Sequence, residues 1–228
     1  MRLDPHAAPR LVCLALAAGC VQSPRQPATP PSPRHVEDGI LVSTCLPPLR
    51  LRPDPGFKYL GGHPFRIRDV AAGERHVFVD AEGSRIRRLL LLQFEGFLDG
   101  VDHTYNYRIT NPVALGGETY HQNVYLFSAN GDLAPEGIAT KAFLEGHGLV
   151  WPDEQMMSRF VRVVDTARRH ELIIFYTESV ADAGHTIAEI AEDGGIRPAF
   201  APVAESLTAR SLRAFTILPP GGTASCAS

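Results

Sequence analysis

The residues whose types and spacing could do chemistry are few. Asp99, Asp102 and His103 fall between positions 99 and 103. Two carboxylates and an imidazole could ligate a metal ion if one turn gathered them. Asp is equally a turn former, which explains the same residues without a metal. His121 alternates with Asn123 and Tyr125, and Tyr105 and Tyr107 alternate one segment earlier. If those segments are neighbours, Tyr105, Tyr107, His121, Asn123 and Tyr125 make an aromatic and polar surface that could line a ligand site. Tyrosine at a sheet edge accounts for the same pattern by packing alone. His103, His121 and His170 are the first suspects if the chain is a hydrolase or a metal-dependent enzyme. No G-x-S-x-G elbow, phosphate-binding glycine loop, H-E-x-x-H or paired C-x-x-C occurs. No catalytic residue is therefore assigned, and no cofactor is expected. Arg85, Arg87 and Arg88 cluster near a turn, but strand alternation splits them over two faces. Trp151-Pro152 reads as a recognition surface or a packed loop anchor.

The elements that must position these residues read mostly as strands. His76–Asp80 is β-rich, and Gly83 marks a turn after it. Ile86–Leu98 alternates with a mostly apolar even face, as in an antiparallel sheet with one face on the core. Asp99-Gly100 is a hairpin signal, and Thr104–Ile109 then alternates cleanly. Thr119–Ala129, Arg159–Asp165 and His170–Glu178 are further strands. The unbroken run Leu172–Phe175 predicts a central position for the last of them. Thr186–Ile190 is expected as a short edge strand. Pro135–Glu145 is expected as a helix, with Pro in its first turn and Gly146 and Gly148 at its end. From Pro202 to Leu218 the apolar residues recur at helical spacing. The expected fold class is α+β: an antiparallel meander of five to seven strands packed against a C-terminal amphipathic helix.

The first twenty residues carry a different message. Arg2 and Arg10 precede the apolar run Leu11–Ala18, and small residues lead to Cys20. A positive region, a short apolar region and small residues form an export signal. The run is too short to span a bilayer, which takes about 20 apolar residues. Leu16-Ala17-Ala18-Gly19-Cys20 resembles the lipobox of bacterial lipoproteins. That resemblance covers the leader alone. It implies a signal peptide over 1–19, cleavage before Cys20, a lipid on the Cys20 thiol and an acyl chain such as palmitate on the new amino group. Two or more chains anchor a protein stably at a membrane surface. Val21 follows the cysteine, where Asp would imply inner-membrane retention, so the resemblance implies the outer membrane, facing the periplasm.

Residues 20–39 then read as lipidated Cys and tether, with Pro24, Pro27, Pro30, Pro31 and Pro33. A proline-rich spacer extends about 3.1 Å per residue, so some 20 residues reach roughly 60 Å. A single folded domain is expected over 40–218, with a Gly/Ser-rich tail at 219–228. Cys13 falls in the leader, which leaves Cys45 and Cys226 as an even pair in an oxidising compartment. They are expected either to bridge the two ends of the domain or to remain free thiols.

A net charge of −3 gives no basic field for nucleic acid, and none is expected as a partner. The sequence therefore points to a lipid-anchored bacterial envelope protein, more in keeping with binding than with catalysis. Its expected partners are the membrane, through the anchor, and an amphiphilic small molecule or an envelope protein. The alternatives are an envelope hydrolase or metal enzyme and a structural or assembly lipoprotein.

Overall fold

The computed structural model describes residues 33–192, 195–219 and 221. The expected signal peptide, Cys20, most of the tether and Cys226 lie outside the described residues. In chain order the strands are β1 (Arg34–Glu37), β2 (Ile40–Thr44), β3 (Pro48–Pro53), β4 (Lys58–Ile67), β5 (Ala71–Glu82), β6 (Arg85–Phe97), β7 (Pro112–Leu115) and β8 (Glu118–Ser128). Helix α1 (Pro135–Gly146) follows, then β9 (Glu154–Val163), β10 (His170–Ser179), α2 (Ile187–Ile190), β11 (Ala191–Glu192) and β12 (Gly195–Ile196). The chain closes with α3 (Ala201–Ser211) and β13 (Phe215–Leu218).

A seven-stranded sheet in the order β4-β5-β6-β10-β9-β8-β7 forms the centre, and β1-β2-β3-β13 form a second sheet of four. Every pairing in both is antiparallel. The α+β class holds in this β-rich form. The strand with the unbroken apolar run, β10, takes the middle of the large sheet, because that sheet is covered on both faces. On one face Leu90, Leu92 and Phe94 of β6 join Leu172 and Ile174 of β10, Leu41 and Leu51 of the small sheet, and Leu207 of α3. On the other face Leu89 and Leu91 join Ile173, Phe175, Trp151 and Leu144 of α1. The expected one-sided burial of β6 is thus corrected: both alternating sets find a core. Each such side chain contributes about 1.5–3 kcal/mol when fully buried.

Four further expectations are corrected. Residues 34–39, read as tether, belong to the fold, because Asp38 and Gly39 both adopt positive φ and close a two-residue hairpin between β1 and β2. Asp99-Gly100 does not close a hairpin, because the neighbour of β6 is β10. Thr104–Ile109 turns Tyr105 and Tyr107 inward and leaves Ile109 exposed, but it joins no sheet. Its Tyr105 N–H donates to the Arg168 carbonyl at 2.8 Å, and Arg168 Nε donates back to the Tyr105 carbonyl at 2.8 Å. Thr186–Ile190 is not a strand: Ile187–Ile190 is helical, because its N-cap Thr186 and Glu189 form a reciprocal capping box at the start of α2.

The C-terminal helix is real but shorter than its apolar spacing. It ends at Ser211, and Phe215–Leu218 pairs with β3 instead. A Phe-Thr-Ile-Leu run suits a strand, and β3 offers it an open edge. Arg210 pins α3 to the large sheet, with Nε 2.9 Å from each Glu178 oxygen. No helix among the described residues is long and apolar enough to cross a membrane.

Candidate ligand pocket

Strand register decides which side chains share the α1 face of the large sheet. Across β5, β6, β10 and β9, one row reads Arg75, Gln93, Ile173 and Val161. The next reads Val77, Leu91, Phe175 and Arg159, and a third reads Val79, Leu89, Thr177 and Met157. Gly73, Glu95, Glu171 and Val163 form a row on the other side of Arg75. Helix α1 and the segment before it lie over these rows and leave a cavity of about 260 Å³. Leu91, Met157 and Phe175 supply its sheet side, Phe127 and Trp151 a wall, and Leu133, Glu136 and Gly137 its helix side. The rings of Phe127 and Trp151 meet edge to face at 5.5 Å. Trp151 is the only tryptophan in the chain.

Besides the exposed Asp132 at its border, three polar groups interrupt this apolar lining. Arg75 is 5% exposed, yet it lines the cavity. Its Nε donates to Gln93 Oε1 at 2.5 Å, and its Nη1 donates to the Glu136 carbonyl and to Thr140 Oγ1, each at 2.8 Å. Its Nη2 makes none of these bonds. Burial lowers the guanidinium to about 10, against the raising influence of Glu136 and Glu95. Thr177 is 1% exposed, and its hydroxyl has no hydrogen-bond partner. Glu136 Oε2 is likewise buried without a partner. Orphaned buried polar atoms are uncommon in folded proteins, and leaving one unmade costs about 1–3 kcal/mol.

Behind Arg75 runs a buried polar arm. Gln93 Nε2 donates to Glu95 Oε2 at 2.5 Å, and the Tyr105 hydroxyl donates to Glu95 Oε1 at 2.7 Å. Glu171 faces Glu95 directly across the β6–β10 pair. Burial raises both carboxyls, Glu171 to about 7, with the Tyr107 hydroxyl and Arg159 opposing the shift at Glu171. The Glu95 charge opposes ionisation of Glu171 and adds to the effect of burial there.

The structure brings some of the expected residues to this arm. Tyr105 and Tyr107 stack with ring centroids 6.1 Å apart, and the Arg159 guanidinium lies 5.5 Å from the Tyr107 ring. Asn123 is the register partner of Arg159, and His121 Nδ1 accepts the Thr110 N–H at 3.2 Å. Tyr125 pairs with Met157 and stays at the exposed border, 36% accessible. None of these five lines the cavity itself.

Asp99, Asp102 and His103 are not gathered. All three are exposed, and no group of three or more metal-ligating side chains occurs among the described residues. A guanidinium organises that loop instead: Arg169 donates to the carbonyls of Val101 at 2.6 Å and Leu98 at 2.8 Å. The suspects His103, His121 and His170 likewise form no such group, and each has its own partner. His103 meets the Asp102 carbonyl, and His170 holds Asp165 at 3.0 Å. Arg85, Arg87 and Arg88 each face a carboxylate, from Asp182, Glu82 and Asp80 respectively. Trp151, read as a recognition surface or a packed loop anchor, is buried among the side chains of the α1-side core and also walls the cavity.

Arg75, Thr177, Glu136 and Met157 were not anticipated. Arg75 and Glu136 sit among other polar residues of β5 and α1, and Thr177 and Met157 are ordinary strand residues, so none of the four stands out along the chain. A larger cleft of about 510 Å³ holds Arg34, Glu74 and His170, but its charges are paired, Arg34 with Glu74 at 2.6 Å. Cys45 is disulfide-bonded, and its expected partner Cys226 lies outside the described residues. Comparison with protein-family models, curated proteins and solved structures finds no match to this chain.

Proposed function

We propose that this chain is a lipid-anchored cell-envelope protein whose domain binds an amphiphilic small molecule between α1 and the large sheet. The observation that carries the binding role is an apolar cavity with an unpartnered, buried Thr177 hydroxyl on its wall. An apolar cavity of about 150 Å³ already accepts benzene, so this one has room for a ring with a short polar arm. The lipobox-like leader supports the anchor, and the disulfide at Cys45 accords with an oxidising compartment.

Trp151 gives a direct readout. Titrating the protein with 2-phenylethanol is expected to change its tryptophan emission saturably, with a midpoint in or below the millimolar range. A linear, unsaturable response contradicts the binding role. For the anchor, Cys20→Ala is expected to move the protein from the membrane to the soluble fraction and to abolish labelling by radioactive palmitate. Retention of both would remove the lipoprotein assignment.

A further inference from the structure

We infer that the ligand carries an uncharged head with one hydrogen-bond donor and one acceptor, an alcohol or a primary amide, on a compact apolar body. This inference rests on the binding role proposed above and specifies which chemistry the cavity reads. The orphaned atoms define the head. Glu136 Oε2 is buried, accepts only, and lacks a donor. The Thr177 hydroxyl, buried and unpartnered on the same lining, can donate or accept. Arg75 spends Nε and Nη1 on protein oxygens, while Nη2 is left out of those bonds. A head that donates to Glu136 Oε2 and accepts from the Thr177 hydroxyl satisfies both orphaned atoms, with Arg75 beside them in the lining.

The charges already present disfavour an ionised head. The cavity lining already holds one cation, Arg75, and one inward carboxylate, Glu136; Asp132 is exposed at its border. Glu95 lies one hydrogen-bonded residue behind Arg75, through Gln93. A ligand carboxylate would face Glu136 and an ammonium would face Arg75. Either leaves the site with a net charge that no further lining group offsets, which is unfavourable. The apolar body is read by Leu91, Trp151 and Phe175.

Calorimetric titration of the full chain with four probes of similar shape tests this. The probes are 2-phenylacetamide, phenylacetate, 2-phenylethylammonium and propylbenzene. The amide is expected to bind at least about tenfold more tightly than either ion, a difference typical of one well-made or unmade polar contact. Thr177→Val keeps the side-chain shape. It is expected to weaken the amide about tenfold, leave propylbenzene unchanged, and leave the urea midpoint unchanged or higher. Glu136→Gln removes the negative charge and is expected to shift preference towards phenylacetate. The inference is overturned if either ion matches the amide, or if Thr177→Val leaves amide affinity intact. Propylbenzene binding as tightly as the amide would overturn the head assignment and spare the binding role. Failure of all four probes to bind would sink both.

Discussion

Arg75→Met is expected to destabilise the domain by about 3–5 kcal/mol, the range for breaking a buried, hydrogen-bonded charge cluster. The guanidinium bridges β5, β6 and α1: it holds Gln93, the Glu136 carbonyl and Thr140 at 2.5–2.8 Å. It also lies 5.1 Å from the Phe175 ring centroid, so its loss removes a stacked contact as well. Without it Gln93 Oε1 loses its donor, and Glu95 and Glu136 lose their compensating cation. Methionine replaces the volume and none of the bonds. For a domain of this size such a loss lowers Tm by roughly 10 °C or more. Arg75→Lys is expected to recover little, because a single ammonium nitrogen cannot stand in for both Nε at Gln93 and Nη1 at α1. Thermal or urea unfolding reads the effect directly. A loss under about 1 kcal/mol would mean that the cluster does not tie α1 to the sheet.

Glu171→Gln is expected to raise stability above pH 7 by about 2–3 kcal/mol and to flatten the pH profile between pH 4.5 and 7. In the unfolded chain this carboxyl loses its proton near its ordinary value of 4.5; burial in the fold holds the proton to about pH 7. Between those values the folded state binds more protons than the unfolded one, so stability falls as pH rises. The contribution is fully present below pH 4.5 and is lost on passing pH 7. Glu95, facing Glu171 and also raised by burial, acts in the same direction. Glu74 acts oppositely in a lower window. The His76 imidazole, 3.7 Å away, and then the Arg34 guanidinium hold it down to about 2 against burial, so its contribution is present above pH 4.5 and lost as pH falls towards 2. Urea unfolding of both proteins at pH 4.5, 6 and 8 separates these effects. Parallel profiles for wild type and Glu171→Gln would contradict the account of the buried pair.

The parts of the fold legible in the sequence were those where one element carries its own signal. The unbroken apolar run of β10, the long β6 and the Pro-to-Gly span of α1 each identify themselves, and β10 is central as expected. The small sheet hid because β1–β3 are short and lie among prolines, with Asp38-Gly39 the one hairpin signal available. Helical spacing ran through Phe215 because a buried strand residue one turn beyond Ser211 satisfies the same period. Tyr105 and Tyr107 alternate as strand residues do, yet that segment is held by Arg168 and not by a ladder.

The site was harder to read for a related reason. Asp99, Asp102 and His103 are close in sequence, but proximity along the chain does not turn side chains inward. Arg75, Leu91, Phe175 and Thr177 are scattered through three strands and meet only through register. A one-residue slip in any of these strands would send its member to the opposite face. The orphaned Thr177 hydroxyl has no sequence signature at all, since threonine is an ordinary strand residue.

The most direct measurement is anomalous diffraction from crystals soaked in 4-bromobenzyl alcohol. The expected result is a bromine peak between α1 and the large sheet, bounded by Leu91, Trp151 and Phe175, with the hydroxyl near Thr177 and Glu136 Oε2. A cavity that holds ordered water alone, or bromine found only elsewhere on the molecule, would contradict the assignment of this cavity as the ligand site.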